Sequence, residues 1–335
     1  MNTTKNGVST IKQWFMNIRH QQIVVTITFL FIPLFLLFLF TYFPFFNMMR
    51  FSLYDMKYIG GRTFIGLQNY RDLFTRTDIF NALKLSVYYL GASFVQLGLA
   101  LFFATILSFN PRGGNIFKGI IFFPYLINGI AIGFIFKFFF TRGFVLDSLL
   151  VFLGFTQETL PYWLRDTSIN NIMLAATSVW RYLGQNMVLF IGAIMAVDPQ
   201  LYEAADLDGA TNWHKFWHII LPSIQTIVVL NLILSITGSL SAFEPPYVIT
   251  NGTFETGTYF IIMNRLAHEL QKVGLASAMA VVLMMIIILV TVFQKTVFKV
   301  FFEPDSSGFT FSERRSMKKR GQYGRQNSVV QGGSV

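Results

Sequence analysis

The titratable side chains of this sequence do not form a catalytic or metal-binding constellation. The chain contains no cysteine, so thiolate nucleophiles, thiolate metal ligands and disulfides are excluded. His214 and His218 lie four positions apart and could share one helix face, but no third ligand lies near them in the sequence. No paired carboxylates or histidine cluster falls within an apolar segment. We therefore predict neither a catalytic residue nor a bound metal ion.

A polar insert, residues 198–217, separates two long apolar segments. It begins with Asp198 and Pro199, a helix start signal, because Asp accepts a hydrogen bond at the N-cap and Pro is favoured at the first helical position. A short helix is predicted over residues 202–207. Gly209 then permits a sharp turn that a residue with a β-carbon would resist.

A second short helix is predicted to follow this turn. It starts near Thr211 and Asn212 and runs into the next apolar segment. Pro222 is predicted to disrupt it where that segment begins, because proline removes a helical hydrogen bond. The insert is thus predicted to be a protruding pair of short helices attached to two apolar segments.

Polar side chains also recur on one face of each of these two apolar segments. In the first, spacings of three and four gather them on one helical side: Ser178, Arg181, Tyr182 and Gln185. The second carries a similar set, with Gly238 and Ala242 beside it: Asn231, Ser235 and Ser239. Such faces either line a polar path through a membrane or promote tight helix packing, and the sequence leaves both interpretations open.

Arg181 is predicted to lie deep in the membrane, roughly eleven residues into a helix that rises 1.5 Å per residue. An intramembrane charge is costly, so Arg181 is expected to face a cavity or a partner. Three interpretations follow. The guanidinium could pair with Glu244 at the end of the neighbouring segment, contact an acidic group on a solute, such as a uronate or sialic acid, or snorkel to the membrane surface.

The overall composition is that of a membrane protein. Of 335 residues, 53% are hydrophobic and only 13% are charged, which leaves too much apolar surface for a soluble core. Segments long enough to cross roughly 30 Å of hydrocarbon fall near 22–47, 84–109, 116–140, 170–197, 218–243 and 274–302. The sequence therefore predicts an all-α integral membrane protein with six transmembrane helices.

Six crossings place both termini on one side, which we predict to be the cytoplasm. The predicted organisation is a cytoplasmic segment at 1–21, a permeation domain at 22–303 and a disordered basic tail at 304–335. Lys and Arg are in excess on the predicted inner side, mainly because of this tail. We expect the tail to bind anionic lipid headgroups rather than nucleic acid. Residues 48–80 are expected to fold on the outer surface, as a connector or as a rim that touches an external partner.

The insert resembles the cytoplasmic coupling loop of ATP-binding-cassette (ABC) importers in the spacing of Glu203-Ala-Ala, Gly209 and Leu221-Pro222. Nearly the whole chain resembles the MalF-like sugar permease subunits of such importers. Further matching features are Phe64-Ile-Gly-Leu-Gln-Asn-Tyr70, Phe117-Lys118, Phe123-Pro124, Trp180, Gly184 and Gly274-Leu-Ala-Ser-Ala278. The chain departs where many relatives have Gly-Gly-Pro, because it reads Val248-Ile-Thr-Asn251-Gly-Thr-Phe254 after Pro245-Pro246.

The resemblance implies the fold, the partners and the docking residues. The fold would be that of a type I ABC importer permease with cytoplasmic coupling helices in a bacterial cell membrane. The partners would be a MalG-like second permease, a dimer of cytoplasmic ABC ATPases, an extracellular solute-binding protein and a carbohydrate. ATP and Mg would bind the ATPases, because this chain has no Gly-Lys-Ser/Thr sequence and no cofactor of its own. The residues that contact the ATPase would be Glu203, Ala204, Ala205, Asp208, Gly209, Leu221 and Pro222.

The resemblance also implies that the polar faces line the sugar path. The candidate path residues are Ser178, Arg181, Tyr182, Gln185, Asn231, Ser235, Ser239 and Glu244, with Ala242 standing where the family has a polar residue. The main alternative is a peptide or amino-acid permease of the same class. A stand-alone secondary transporter is less compatible with the sequence, because only Arg181 is charged well inside a segment.

Overall fold

The structure, a computed structural model, describes residues 18–109 and 111–302. Most of the predicted N-terminal segment at 1–21 and the predicted basic tail at 304–335 lie outside the described residues. The chain divides into two compact units. One comprises the chain up to Leu73 together with Leu266–Val281, and the other comprises Phe74–Arg265 and the chain from Val282 onward.

The first unit begins with a long apolar helical segment. It contains α1 (Ile18–Leu37), a π-helical turn (Phe38–Tyr42) and α2 (Phe43–Phe51), followed by strands β1 (Tyr54–Met56) and β2 (Arg62–Phe64). The strands pair antiparallel with Tyr54 opposite Phe64, and the Gly60-Gly61 pair falls in the connection between them. This small hairpin was not predicted from the sequence, because each strand is only three residues long.

The start of the last helix packs against the end of this hairpin. A β-carbon on Gly274 would overlap the carbonyl oxygen of Tyr54, so only glycine permits the approach. The Asn69 amide donates to the carbonyl oxygens of Ser52 at 2.8 Å and Tyr54 at 3.0 Å. The Gly274 and Asn69 positions singled out in the sequence therefore stabilise one local packing arrangement.

The second unit contains most of the long helices. Helix α3 (Gln68–Thr75) precedes them in the sequence. The first of the long helices are α4 (Thr77–Ser108), α5 (Gly114–Leu126), α6 (Gly129–Phe140), α7 (Val145–Phe152) and α8 (Asn170–Met195). A 3-10 turn at Gln157–Thr159 lies between α7 and α8. There follow α9 (Pro199–Leu207), α10 (Asn212–Lys215), a π-helical turn (Phe216–Ile220), α11 (Leu221–Ser223) and α12 (Gln225–Leu240). The last elements are π-helical turns at Pro246–Thr250 and Arg265–Glu269, α13 (Tyr259–Asn264) and α14 (Val273–Phe302), which runs through both units.

The core of the second unit forms where α4, α5 and α8 pack together. Ala100 and Ala104 of α4 are fully buried in a cluster with Met187 and Phe190 of α8. Gly184 of α8 lies so close to α5 that a β-carbon would overlap the Ile121 carbonyl oxygen. Small residues permit this close approach, as is typical of helix interfaces in membranes.

Among the described residues, three helical segments are long and apolar enough to cross a membrane: Val24–Phe51, Thr77–Ser108 and Val273–Phe298. Three further pairs of helices, bent by 98°, 73° and 72°, raise the number to as many as six if each pair is one span. The segment predicted at 116–140 is one of these pairs and is not a single helix. The chain is extended at Ile127, and the Asn128 side chain caps a new helix by accepting from the Ile130 N–H at 2.9 Å.

Candidate functional site

A cavity of about 400 Å³ lies among α4, α8 and α12. Most of its surface is apolar, and we call it the polar cavity after the polar side chains in its lining. It is lined by Tyr89, Ala92, Ser93, Gln96, Ser178, Tyr182, Gln185, Asn186, Leu189, Asn231, Leu234, Ser235, Gly238, Ser239, Ser241, Ala242, Phe243, Glu244 and Pro245. Its volume falls within the range of roughly 300–1,000 Å³ that is usual for small-molecule sites.

The cavity brings together all but one of the predicted path residues. From α8 it includes Ser178, Tyr182 and Gln185, from α12 it includes Asn231, Ser235 and Ser239, and from the following segment Glu244. Arg181 does not line it. The polar faces that spacing predicts on α8 and on α12 therefore line the same cavity.

Two of the α12 side chains donate to their own helix. Asn231 donates to the Ile227 carbonyl oxygen at 2.9 Å, and Ser239 donates to the Ser235 carbonyl oxygen at 2.7 Å. These bonds leave the side-chain oxygen of each residue with acceptor capacity toward the cavity. The α12 wall is therefore neutral and hydroxyl- and amide-lined.

The third wall of the cavity was missed by the sequence analysis. It consists of Tyr89, Ser93 and Gln96 on α4, polar residues at spacings of four and three. The same periodicity that identified the other two faces is present here and could have identified this one. Tyr89 is only 4% exposed, and its hydroxyl has no hydrogen-bond partner within the described part of the chain.

Arg181 and Glu244 form an ion pair at the edge of the cavity. Arg181 Nη1 contacts Glu244 Oε2, and the guanidinium lies 5.0 Å from the ring centroid of Tyr182. The Arg181 side chain is 15% exposed and that of Glu244 is 43% exposed. Of the three interpretations of Arg181, the structure contains the ion pair with Glu244. The guanidinium is therefore neutralised within the protein.

The break between α5 and α6 makes room for this ion pair. A β-carbon on Gly129, the first residue of α6, would overlap both the Glu244 carboxylate and the Arg181 guanidinium. The broken helix thus contacts α8 and the segment after α12 at one point. Any side chain larger than hydrogen at this position would displace the pair.

The polar insert has the local structure that its sequence predicts. The Asp198 carboxylate accepts from the Gln200 N–H at 2.9 Å, and Pro199 begins α9. Gly209 has a φ of +73°, in the left-handed region that favours glycine. The Thr211 side chain then caps α10. The helix, turn and second helix are confirmed. The bend before α12 falls at Ile224, two residues after Pro222.

One face of α9 is attached to the end of α4, and the rest is exposed. The ring of Tyr202 packs edge-on against Phe109 with centroids 5.7 Å apart, and burial raises the pKa of the Tyr202 phenol. Lys215 of α10 contacts the Asp206 carboxylate and so joins the two short helices. The pair is therefore held as one body against the membrane helices.

Five of the predicted docking residues lie on this body, and the other two, Leu221 and Pro222, lie on α11. Glu203, Ala204, Asp208, Gly209 and Pro222 are exposed, whereas Ala205 and Leu221 are partly buried. Leu207, which is 90% exposed, and Trp213, which is 67% exposed, are large apolar side chains on the same body. Sequence reasoning missed them because exposure cannot be read from residue type.

The two histidines of the insert interact with their own helix. Their rings stack with centroids 6.2 Å apart, His218 Nδ1 lies 3.0 Å from the His214 carbonyl oxygen, and His214 Nδ1 lies 2.7 Å from the Thr211 hydroxyl. Among the described residues no group of three or more His, Cys, Asp or Glu side chains could hold a metal ion.

Comparison with known protein families gives a match over most of the second unit. The sequence profile of the family described as "Binding-protein-dependent transport system inner membrane component" matches residues 96–299. The matched range includes Gln96, every cavity-lining residue after it, and the whole insert.

Two curated proteins of Bacillus subtilis (strain 168) are among the similar sequences. A probable ABC transporter permease protein, YurN, is 30% identical over 277 residues, which cover 80% of this chain and 94% of YurN. The arabinooligosaccharides transport system permease protein AraP is 30% identical over 241 residues, which cover 69% of this chain and 75% of AraP.

A solved structure has the same fold. It is the crystal structure of a bacterial ABC transporter involved in the import of the acidic polysaccharide alginate. The match has a TM-score of 0.72 and 18% sequence identity, and it covers 85% of this chain and 98% of the compared chain. At this identity the similarity concerns the fold alone.

Proposed function

The chain belongs to the family of binding-protein-dependent transport system inner membrane components, and from this premise we propose that it is one permease subunit of an ATP-driven carbohydrate importer. In this role it forms half of the path for an oligosaccharide or related carbohydrate. It transmits the closure of separate ATPase subunits through the body formed by α9 and α10, and it catalyses no covalent chemistry itself.

The attachment of that body carries the proposal. Residues 196–198 connect α8 to α9 through a bend of 73°, and a π-helical turn and α11 connect α10 to α12 through a bend of 72°. Helices α8 and α12 form two walls of the polar cavity. We infer that a displacement of the body reaches the cavity walls through these short connections. Such rigid-body movement of helices around a site is one of the recognised routes to alternating access.

The docking role of the insert is supported by its surface. Glu203 and Asp208 are exposed beside Ala204, which leaves room for close approach, and Leu207 offers apolar area. With Ala205, Gly209, Leu221 and Pro222 these residues are proposed to contact the ATPase. Their conformation is set by Asp198 and Gly209 before any partner binds, so little ordering is required on association.

The carbohydrate assignment is supported by the chemistry of the cavity. Sugars need groups that bond hydroxyls and an aromatic surface, and the amides of Gln185 and Asn231 and the ring of Tyr182 offer both. The one charged residue among the lining residues, Glu244, is paired with Arg181. A zwitterionic peptide or amino acid would leave its own charges without partners here. AraP, at 30% identity, carries a name that includes arabinooligosaccharides.

The finer architecture follows from this function. We expect six spans in a bacterial cell membrane, with the bent pair α5 and α6 as the third, and with both termini and the insert in the cytoplasm, where ATP is available. The expected partners are a MalG-like second permease, an ABC ATPase dimer that holds ATP and Mg, and an extracellular solute-binding protein. The basic tail at 304–335 is expected to contact anionic lipid.

Co-purification tests the assembly. The full chain and the double variant Glu203→Arg with Gly209→Asp are isolated from membranes, and the accompanying proteins are identified. The wild type is expected to retain a second permease and an ATPase, and the variant is expected to lose the ATPase alone. A stable wild-type chain that retains no ATPase would contradict the proposal and favour a stand-alone transporter.

A further inference from the structure

A second pocket, of about 480 Å³, lies at the opposite end of α8 from the insert. It is lined by Lys137, Phe140, Thr141, Arg142, Tyr162, Trp163, Leu164, Arg165, Ile249, Thr250, Asn251, Thr253 and Phe254. We call it the basic pocket. None of the residues of the polar cavity lines it.

The position of the basic pocket follows from α8. Asn170, the first residue of that helix, donates to the Phe254 carbonyl oxygen at 2.6 Å, so the pocket adjoins the beginning of α8. The insert follows the end of the same 26-residue helix, which at 1.5 Å per residue is about 39 Å long. A cytoplasmic insert therefore places the basic pocket at the extracellular end.

Three cationic side chains line the pocket and no carboxylate does. Arg142 is fixed in place, because its guanidinium donates to the carbonyl oxygens of Leu160 at 2.7 Å and Gln157 at 3.0 Å. Lys137 and Arg165 are exposed. The pocket thus presents an excess of positive charge that the fold does not neutralise within its lining.

Asp147, an acidic side chain that contacts the lining residue Trp163, is already committed to other groups. Asp147 is buried, and its two oxygens accept from the Gly143 N–H at 2.6 Å and from Trp163 Nε1 at 2.7 Å. The hydroxyl of Thr253 donates to the Thr250 carbonyl oxygen at 2.5 Å. The donors that remain toward the pocket are therefore mainly cationic. Such a set is suited to a carboxylate or phosphate.

An aromatic wall stands beside these cations on a strained turn. Asn251, Phe254 and Glu255 have positive φ values of 53°, 54° and 59°. For a bulky residue such as Phe254 this conformation is unfavourable, and such strain concentrates at ligand sites. Asn170 and Asn171 hold the turn by bonding the carbonyl oxygens of Phe254 and Glu255. The Phe254 ring stays 48% exposed as a result.

This turn is the segment in which the sequence departs from the Gly-Gly-Pro of the family it resembles. Gly252 in this turn has a φ of +67°, which glycine adopts without strain, whereas Phe254 adopts a φ of +54° while carrying an aromatic ring. Arg165 lies 5.8 Å from the centroid of that ring, and Arg142 lies 4.2 Å from that of Tyr162. Flat aromatic faces beside cations can receive the apolar face of a sugar ring together with its acidic group.

We propose that the basic pocket binds an acidic sugar unit at the outer end of the path, with its carboxylate on Lys137 and Arg165 and its ring against Tyr162 or Phe254. The inference rests on the proposed function, because it assigns a uronate-bearing carbohydrate to the same importer. The acidic group is recognised here rather than at Arg181, which is neutralised by Glu244.

The test compares two trisaccharides that differ in charge. The full chain, with the subunits that accompany it, is placed in nanodiscs of phosphatidylcholine, and calorimetry measures the binding of trigalacturonate and of neutral galactotriose. The variant Lys137→Gln with Arg165→Gln removes two charges and leaves the bonds of Arg142 intact. The control Lys84→Gln with Arg112→Gln removes two exposed charges that line neither pocket.

Trigalacturonate is expected to bind the wild type and the control at least about tenfold more tightly than galactotriose does, as charge-assisted hydrogen bonds imply. The double variant is expected to lose this preference, with an unchanged melting temperature. No binding of trigalacturonate, equal binding of both sugars, or undiminished binding to the double variant would overturn the proposal.

A phospholipid headgroup is the other source of an anion, and a second set of nanodiscs distinguishes it. These contain phosphatidylglycerol, and mass spectrometry detects retained lipid. Phosphatidylglycerol retained by the wild type and lost from the double variant, without binding of trigalacturonate in its absence, would overturn the proposal in favour of a lipid site. Retention of the ATPase in each preparation reports on the proposed function separately, so failure of the two inferences is distinguishable.

Discussion

The insert and the polar cavity differ in how their residues are brought together. The contacts that shape the insert join residues close in the sequence. Asp198 caps α9 by accepting from the Gln200 N–H, and Lys215 contacts Asp206. The cavity is assembled over long range, since Tyr89, Gln185 and Ser235 reach it from three separate helices. A local change should therefore uncouple the insert without disturbing the cavity, whereas a packing change should alter the cavity without disturbing the insert.

Both regions nevertheless share two helices. The end of α8 and the beginning of α12 hold the insert, and the middle of each helix lines the cavity. The proposed docking of the ATPase and the proposed passage of the solute thus fall to two regions that these helices connect. A variant of the insert should lose ATPase binding and leave the cavity intact, and a variant of the cavity should keep ATPase binding. Loss of ATPase binding from a cavity variant would contradict this separation.

The largest effect is expected at Glu203. Glu203→Arg reverses an exposed charge at the centre of the proposed docking surface and is expected to cost about 2–5 kcal/mol of ATPase affinity, which abolishes ATP-driven uptake. Affinity for the ATPase is measured with the purified chain. Gln200→Arg, which introduces the same side chain at an exposed position one turn away, serves as the control. Equal loss with both variants would mean that Glu203 has no special role.

The next largest effect is expected at Glu244. Glu244→Gln leaves the largely buried Arg181 guanidinium without its partner and is expected to lower stability by about 1–3 kcal/mol, less than for a fully buried pair because Glu244 is 43% exposed. Thermal unfolding of the purified chain measures this change. Adding Arg181→Gln should recover part of the loss, and a double variant as unstable as the sum of the two single variants would show that the ion pair contributes nothing.

A smaller effect on packing is expected at Gly184. In Gly184→Ala the new methyl group meets the Ile121 carbonyl oxygen, so α5 and α8 must separate, at a cost of about 1–3 kcal/mol. Gly192→Ala on the same helix meets nothing within 4 Å and is expected to leave stability unchanged or to raise it by up to about 1 kcal/mol. The comparison is made by thermal unfolding. Similar melting temperatures for the two variants would contradict the close contact.

The smallest effect is expected at Tyr89. Its buried hydroxyl has no partner among the described residues, so Tyr89→Phe is not expected to lower stability. If the hydroxyl bonds the solute, the variant loses about 0.5–1.5 kcal/mol of binding, or roughly a two- to tenfold rise in the KM of uptake. Uptake kinetics and thermal unfolding are measured together. Loss of stability with unchanged KM would assign Tyr89 a purely structural role.

The extent to which the sequence predicted each region reflects the same difference. The cap at Asp198 and the turn at Gly209 depend on local chemistry, and both were predicted correctly. The faces of α8 and α12 were predicted from periodicity, but that they meet α4 at Tyr89 depends on packing between distant segments. The break at Ile127 was missed because the apolar run was treated as continuous, although Pro124 and the Asn128-Gly129 pair mark a break in the sequence. Gly129 is required there by the Arg181–Glu244 pair. The exposure of Leu207 likewise depends on tertiary packing, which the local sequence does not specify.

The central claim is that docking and passage occupy separate regions joined by α8 and α12, and one parallel measurement tests it most directly. ATPase retention and solute uptake are measured for Glu203→Arg and for Tyr89→Phe combined with Ser235→Ala, in the same membranes. The insert variant is expected to lose both the ATPase and uptake, whereas the cavity variant is expected to retain the ATPase and to have weakened uptake. Loss of the ATPase from the cavity variant, or normal uptake by the insert variant, would contradict it.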